Sequence, residues 1–124
     1  MLQSADTRPL VLIVDDDLAV RESLAMVMEA FGFRAQTATN GAEGLKAVEA
    51  EAPSAIITDL QMPEMTGFEL ISALRRTATG IPVIAISGSD VDAAREMGVA
   101  AAFHKPLPVL EMIEAVQGLT QRAA

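Results

Sequence analysis

Residues 10–17 have the sequence LVLIVDDD, in which an unbroken apolar run ends in three consecutive aspartates. A run of this length is typical of a strand buried on both faces, as the central strands of a parallel sheet are. Three similar runs follow at Ala55 to Ile57, Val83 to Ile86 and, more weakly, Ala100 to Phe103. The segment from Phe33 to Ala38 has mixed polarity and is predicted to be an edge strand. The sequence therefore predicts five strands.

Helical patterns separate these strands. Apolar residues recur at steps of three and four from Leu18 to Phe31, which predicts a first helix with one buried face. Capping signals at Asn40–Glu43, Thr66–Glu69 and, more weakly, Ser89–Asp92 open the next three helices. Pro108 is placed at the first position of the last helix. Strict alternation of strand and helix predicts an α/β fold, a doubly wound parallel sheet with right-handed crossovers.

The composition limits the function classes. The chain has 124 residues, no cysteine and a formal net charge of -8. A domain of this length buries enough surface to fold without disulfides. Its acidic excess repels phosphate backbones and anionic lipids, so we expect no direct binding to nucleic acid and none to membranes. No apolar run approaches the roughly 20 residues that cross a bilayer and no signal-peptide pattern is present, so we expect a cytoplasmic protein.

Polar side chains follow the central strands at the points where those strands end. Asp15 and Asp16 follow the first strand, Asp59 the third, Ser87 the fourth and Lys105 the last. Because the carboxyl ends of parallel strands lie along one edge of a sheet, these side chains are expected to converge. Clustered carboxylates repel one another, and oxygen ligands without cysteine or a paired histidine favour Mg²⁺ or Mn²⁺ as the neutralising ion. Such a site is suited to accept a phosphoryl group, with Asp59 as the nucleophile.

The chain resembles response-regulator receiver domains in four motifs: VLIVDDD at 11–17, IITDLQMPEMTGFEL at 56–70, PVIAISG at 82–88 and HKP at 104–106. The resemblance covers nearly the whole chain. It implies a flavodoxin-like sheet with strand order 2-1-3-4-5 and helices on both faces. Residues 9–122 would then form a single receiver domain, preceded by a flexible N-terminus at residues 1–8 and followed by no output domain.

The resemblance also implies the roles of the residues around the phosphoryl group. Asp59 would be the phospho-acceptor, and Lys105 and Ser87 would bind the phosphoryl oxygens. Gln61 and Ser89 would flank the phosphoryl group and tune the rate at which water removes it.

The implied metal ligands come from the same motifs. Asp16, Asp59 and the main-chain carbonyl of Gln61 would hold Mg²⁺, and Asp15 would help through a water molecule. The peptide bond between Lys105 and Pro106 would be cis, which aims the lysine at the site.

The chain departs from the family pattern at Ala102. Receivers usually carry Tyr or Phe at this position, three residues before the lysine, where the ring responds to the phosphate. The adjacent Phe103 is expected to point to the opposite sheet face and pack in the core. The segment from Ser87 to Lys105 is also short, which predicts a reduced fourth helix. In other receivers the ring moves inward as the hydroxyl at the end of the fourth strand turns toward the phosphate. The differences in this chain affect that switch and leave the phosphorylation chemistry intact.

The resemblance implies a phospho-accepting switch of a two-component or phosphorelay system. A sensor histidine kinase or a histidine phosphotransfer protein would donate to Asp59, and the changed surface would bind a downstream protein. Its only chemistry would be its own phosphorylation and dephosphorylation, so we do not expect an enzyme. One alternative is a degenerate receiver that binds a partner constitutively, which Ala102 and the short segment from Ser87 to Lys105 favour and the intact acidic set opposes. Another is a Mg²⁺-dependent phosphohydrolase, although that class usually has an acid where this chain has Gln61.

Overall fold

The computed structural model describes residues 6–77 and 80–121 of the chain. Within these residues five strands alternate with five helices, as predicted. The strands are β1 (Leu10–Val14), β2 (Arg34–Ala38), β3 (Ala55–Asp59), β4 (Val83–Ser87) and β5 (Ala101–His104). The helices are α1 (Leu18–Ala30), α2 (Gly41–Ala50), α3 (Gly67–Arg76), α4 (Val91–Glu96) and α5 (Val109–Gln121). None of the helices in the described residues has the length and apolar character that a membrane span requires.

The strands form one parallel sheet in the order β2-β1-β3-β4-β5, which confirms the predicted topology. Every residue of β1, β3 and β4 is buried, because helices cover both faces of the sheet. Successive residues of β1 alternate between the two cores. Leu12 and Val14 pack with residues of α2, α3 and α4, whereas Val11 and Ile13 pack with residues of α1 and α5. The strand β2 lies at the edge, as its mixed polarity predicted.

The capping signals of α2 and α3 are borne out with one difference. Thr66 and Glu69 form the reciprocal capping box at the start of α3. At α2 the Asn40 side chain accepts from the Glu43 main-chain N–H at 2.9 Å. The Glu43 carboxylate, however, accepts from the N–H of Thr39, one residue before the cap.

The starts of α4 and α5 differ from the prediction. Ser89 does not cap α4, because the Ser87 hydroxyl oxygen accepts from the N–H groups of both Ser89 and Asp90 at 3.1 Å and folds this segment into a turn. The helix begins after Asp90 and has six residues, so the fourth helix is reduced as expected. Pro108 precedes the first residue of α5, and its carbonyl accepts from the N–H of Met112.

The predicted flexible N-terminus, residues 1–8, lies partly outside the described residues, which begin at Asp6. Arg8 pairs with Asp6 at 2.7 Å, and its carbonyl oxygen accepts from Nε of Arg34 on the edge strand. Residue 122, the predicted end of the domain, also lies outside the described residues. The domain boundaries therefore stay predictions.

Candidate functional site

Three carboxylates meet at the carboxyl edge of the sheet. Asp15 and Asp16 directly follow β1, and Asp59 is the last residue of β3, the neighbour of β1 in the sheet. One carboxylate oxygen from each of the three lies within 4.8 Å of the others. Asp15 is fully buried and Asp59 is 6% exposed, whereas Asp16 is exposed. The cluster therefore opens to solvent on the side of Asp16.

Asp15 is an ionisable group held almost entirely within the protein. One of its carboxylate oxygens accepts from the N–H of Asp17 at 2.9 Å, and the other lies 3.4 Å from Nζ of Lys105. Burial raises the pKa of Asp15 above its ordinary value, and the neighbouring Asp59 charge adds to this against the opposing effects of the Asp17 N–H and Lys105. The ionised form of Asp15 is therefore disfavoured by its surroundings.

Lys105 brings a positive charge to the two buried carboxylates. Its Nζ lies 3.4 Å from an oxygen of Asp15 and 3.4 Å from an oxygen of Asp59. The peptide bond to Pro106 is cis, and the Lys105 N–H donates to the carbonyl of Ser87 at 2.9 Å. Burial alone would lower the pKa of Lys105, but the charges of Asp15 and Asp59 and hydrogen bonds to them together raise it. Lys105 is therefore protonated at neutral pH.

Ser87 lies at the same edge of the sheet and is buried. In the register of β3 and β4, Asp59 pairs with Ile86, so Ser87 is one residue further toward the site. Its hydroxyl oxygen accepts the two N–H groups of the following turn, from Ser89 and Asp90. Ser87 thus connects the end of β4 to the turn that leads into α4.

Gln61 extends from the end of β3 to the turn after β4. Its main-chain N–H donates to the Asp59 carboxylate at 3.3 Å. Its side-chain Nε2 lies 3.3 Å from Oγ of Ser89 and 2.6 Å from a carboxylate oxygen of Asp90. Asp90 is a site residue that sequence reasoning missed. Nothing in the sequence relates two loop residues that are 29 positions apart.

A family comparison gives the class of protein to which this site belongs. The family described as "Response regulator receiver domain" matches residues 11–117. The chain belongs to this family. It is the receiver domain of a response regulator and so belongs to two-component signalling.

Solved structures and curated relatives agree with this assignment. The receiver domain of the Francisella response regulator 1452 is 27% identical to this chain, with a TM-score of 0.89. The match covers 94% of this chain and 100% of that one. A response regulator receiver protein from Pseudomonas putida is 32% identical with a TM-score of 0.82, over 90% of this chain and 98% of that one. The transcriptional regulatory protein PrrA of Mycobacterium tuberculosis is 37% identical over 120 residues, which are 94% of this chain and 52% of that protein.

The receiver domain spans about half the length of the curated relatives it matches. The response regulator MprA of Mycobacterium leprae, 32% identical over 90% of this chain, is matched over 51% of its own length. PrrA carries the name of a transcriptional regulator, so these relatives do not support the expectation that nucleic acid is excluded. The net charge of -8 belongs to these 124 residues.

The aromatic position of other receivers holds a small buried residue here. Ala102 packs with Val91 and Ala94 of α4 in the core on one face of the sheet. Phe103 packs against the core on the opposite face, as strand alternation predicted. The guanidinium of Arg95 donates to the Ala102 carbonyl at 3.3 Å, which links α4 to β5.

The main chain that carries Asp59 is packed directly against the start of α3. Gly67, the first residue of that helix, donates its N–H to the Leu60 carbonyl at 3.1 Å. A Cβ at Gly67 would collide with the Asp59 carbonyl oxygen and would lie 2.8 Å from Cα of Leu60. A residue with a side chain therefore has no room at this position.

The donor set of the receiver domain fits a hard divalent cation. Three carboxylates provide one ligand oxygen each within a small volume, and the exposed Asp16 leaves room for retained water. Mg²⁺ prefers oxygen ligands and keeps several waters, so the arrangement suits it. Asp15, Asp16 and Asp59 are the residues that would hold the ion, and the main-chain carbonyl of Gln61 stays a predicted ligand.

Replacing Asp15 by asparagine is expected to raise the melting temperature by a few degrees at neutral pH without divalent cations. Because the pKa of Asp15 is raised in the folded state, stability falls as the pH rises from the ordinary value of 3.8 through the raised value. The amide removes this cost, and its Oδ1 can still accept from the N–H of Asp17.

Thermal unfolding in EDTA and in Mg²⁺ measures this effect. Mg²⁺ should raise the melting temperature of the wild type more than that of Asp15→Asn, since a ligand stabilises only the state that binds it. Asp17→Asn is the matched control, because Asp17 is the exposed cap of α1 and lies outside the cluster. A lower melting temperature for Asp15→Asn than for the wild type in EDTA at pH 7 would contradict the prediction.

Proposed function

We propose that this receiver domain is a phospho-accepting switch, in which Asp59 takes a phosphoryl group from a phosphohistidine in a Mg²⁺-dependent reaction. One observation carries the proposal: the Asp59 carboxylate belongs to the three-carboxylate cluster and also lies 3.4 Å from Nζ of Lys105. A group that accepts a phosphoryl anion needs positive charge from a metal on one side and from a fixed cation on the other. Asp59 stands between these two sources.

The transfer moves one phosphoryl group between two proteins. An Asp59 oxygen forms a bond to phosphorus as the bond from phosphorus to the donor imidazole nitrogen breaks. The bonding electron pair returns to that nitrogen, which leaves a neutral imidazole once its protons equilibrate with solvent. Lys105 binds an oxygen of the transferred group, and the Ser87 hydroxyl donates to another. Mg²⁺, when bound, neutralises the charge of the phosphoryl oxygens.

The donor and the target follow from this chemistry. A sensor histidine kinase or a histidine phosphotransfer protein supplies the phosphoryl group. The group adds nearly two negative charges beside Ser87, whose hydroxyl oxygen accepts from the turn that begins α4. The surface of that turn and α4 is therefore where phosphorylation alters binding of a downstream protein. The cytoplasmic location stays a prediction.

A site of this kind acts on its own chain and not on a separate substrate. A phosphohydrolase of the aspartate class would need an acid at position 61, where the Gln61 amide instead donates to Asp90. A constitutive binding module is favoured by the buried Ala102, which provides no aromatic ring to move, and by the short α4. The complete set of acceptor, cluster and lysine makes the phosphorylated switch the better supported function.

Incubation with Mg²⁺ and acetyl phosphate tests the proposal. Intact-mass spectrometry should detect one added phosphoryl group on the wild type, none on Asp59→Asn, and none on the wild type when EDTA replaces Mg²⁺. Asp92→Asn is the matched control, since Asp92 is exposed on α4 and pairs only with Arg95 among the described contacts. An undiminished adduct on Asp59→Asn would refute the assignment, and repeated turnover of a phosphomonoester would favour the hydrolase.

A further inference from the structure

Gln61 and Asp90 join two loops at the mouth of the site. Gln61 follows β3, the strand that ends in Asp59, and Asp90 follows β4, the strand that ends in Ser87. The 2.6 Å distance from Nε2 of Gln61 to the Asp90 carboxylate is that of a short hydrogen bond to a charged acceptor. The same nitrogen lies 3.3 Å from Oγ of Ser89. The Gln61 side chain therefore spans the gap between the loops.

The chemistry of Asp90 fixes the orientation of the Gln61 amide. An ionised carboxylate only accepts hydrogen bonds, so the amide nitrogen must face Asp90 and the amide oxygen must face away from it. Asp90 is itself held in place, because its N–H donates to Oγ of Ser87 and its carbonyl accepts from the N–H of Ala94. The main chain of the residue that orients the Gln61 amide is thus held by hydrogen bonds on both sides.

The Asp90 side chain contacts Gln61 and does not cap the helix that follows it. An aspartate at a helix cap normally accepts from the first N–H groups of the helix, which stabilises the helix. Asp17 does so at the start of α1, where it accepts from Ala19 and Val20. Asp90 makes no such bond with α4 and directs its carboxylate to Gln61 instead. The contact with Gln61 therefore replaces a cap that the helix lacks.

The bridge between the loops lies next to the path that water must use to remove the phosphoryl group. Hydrolysis requires a water oxygen to attack phosphorus opposite the Asp59 oxygen, after which the bond from phosphorus to Asp59 breaks and leaves the carboxylate and inorganic phosphate. One approach from solvent lies between the loops that follow β3 and β4, where Gln61 and Ser89 are exposed. Asp59 is only 6% exposed, whereas Gln61, whose N–H donates to the Asp59 carboxylate, is exposed, so the Gln61 side chain lies on the solvent side of the acceptor.

We propose that Asp90 is a positioning residue that holds the Gln61 carboxamide across the mouth of the acceptor site and thereby prolongs the life of the phosphoryl group. The proposal rests on the phosphorylation of Asp59 proposed above. Removing the carboxylate leaves the Gln61 amide nitrogen with the longer, 3.3 Å contact to Oγ of Ser89, so the side chain is held less firmly and water reaches phosphorus more often.

The test compares the decay of the phosphorylated wild type with that of Asp90→Ala, Asp90→Asn, Gln61→Ala and the double variant Gln61→Ala/Asp90→Ala. Each is phosphorylated with acetyl phosphate and Mg²⁺, freed of donor, and followed by intact-mass spectrometry. Asp90→Ala should lose the group about three- to tenfold faster, the range expected for the net loss of one ordinary hydrogen bond. Asp90→Asn should stay near the wild type, because its amide oxygen still accepts.

Two controls separate positioning from charge and from stability. Asp92→Ala removes a charge from the same helix without touching Gln61 and should leave the lifetime unchanged. The double variant should decay no faster than Gln61→Ala alone, because the two residues act through one contact. A purely structural role for Asp90 would lower the melting temperature and leave the lifetime as it is.

An unchanged or longer lifetime in Asp90→Ala would overturn the proposal, as would effects of Gln61→Ala and Asp90→Ala that add in the double variant. Failure of the phosphorylation proposal has a different signature. In that case the wild type itself forms no adduct, and both proposals fall together.

Discussion

Replacing Lys105 by methionine is expected to slow phosphorylation of Asp59 by about 100-fold or more, the usual cost of removing one preorganised positive or hydrogen-bonding group from a reacting site. Methionine keeps an unbranched side chain of similar size and removes the charge. The Nζ that is lost lies 3.4 Å from Asp59, within reach of an oxygen on the transferred group. The time course of adduct formation with acetyl phosphate and Mg²⁺ measures the loss.

The same substitution is expected to destabilise the protein when no divalent cation is present. Lys105 is the ion-pair partner that the buried carboxylates of Asp15 and Asp59 share among the described residues, and the substitution removes it. Breaking a fully buried ion pair costs about 3–5 kcal/mol, and the 32% exposure of the Lys105 side chain reduces the expected cost to about 2 kcal/mol. Mg²⁺ should restore part of this stability, because it supplies the missing charge.

The pH dependence gives this stability loss a definite sign. The pKa of Lys105 is raised in the folded state, so its contribution is fully present below the ordinary value of 10.5 and is lost as the pH rises through the raised value. Urea unfolding should therefore separate wild type from Lys105→Met at pH 7, and the two should converge in strong alkali. Lys46→Met is the matched control, because Lys46 is the other lysine of the chain and is exposed on α2. Equal phosphorylation rates in wild type and Lys105→Met would contradict the role of Lys105.

Much of the fold was predictable because its signals are local and repeated. The strand β1 is apolar at every residue since both of its faces are covered, and such runs also indicated β3 and β4. The start of α4 was not predictable. A helix of six residues has too few positions for a period, and the hydrogen bonds of Ser87 that shape the preceding turn come from the end of a strand. Local periodicity is a weak guide where a neighbouring side chain determines the backbone.

The candidate site likewise has one part that the sequence predicts and one part that it does not. The meeting of Asp15, Asp59 and Lys105 follows from the rule that parallel strands end at one edge, so the sequence was sufficient to predict it. The contact between Gln61 and Asp90 depends on the reach of two side chains from separate loops, for which no strand register applies. The meeting of side chains at strand ends is thus predictable from the sequence, whereas contacts between loops are not.

Gly67 is part of the motif at 56–70, and its close approach to the Asp59 main chain explains why a glycine stands there. Gly67→Ala is expected to lower the free energy of unfolding by about 3 kcal/mol, the upper part of the range for overpacked positions. The added Cβ would meet main-chain atoms of Asp59 and Leu60, which cannot rotate away as a flexible side chain could. Either α3 or the end of β3 must therefore move.

Movement of β3 would displace the acceptor, so phosphorylation should slow together with the loss of stability. A misplacement of about 1 Å at a reacting group can cost about 100-fold in rate. Urea unfolding measures the first effect, and adduct formation per folded molecule measures the second. Gly118→Ala is the matched control: a Cβ there meets no atom within 4 Å, and alanine within α5 should stabilise the protein by about 0.5–1 kcal/mol. If Gly67→Ala lowers the free energy of unfolding and Gly118→Ala raises it, the loss at Gly67 is due to the collision with the Asp59 backbone. Wild-type stability and phosphorylation rate in Gly67→Ala would contradict that close approach.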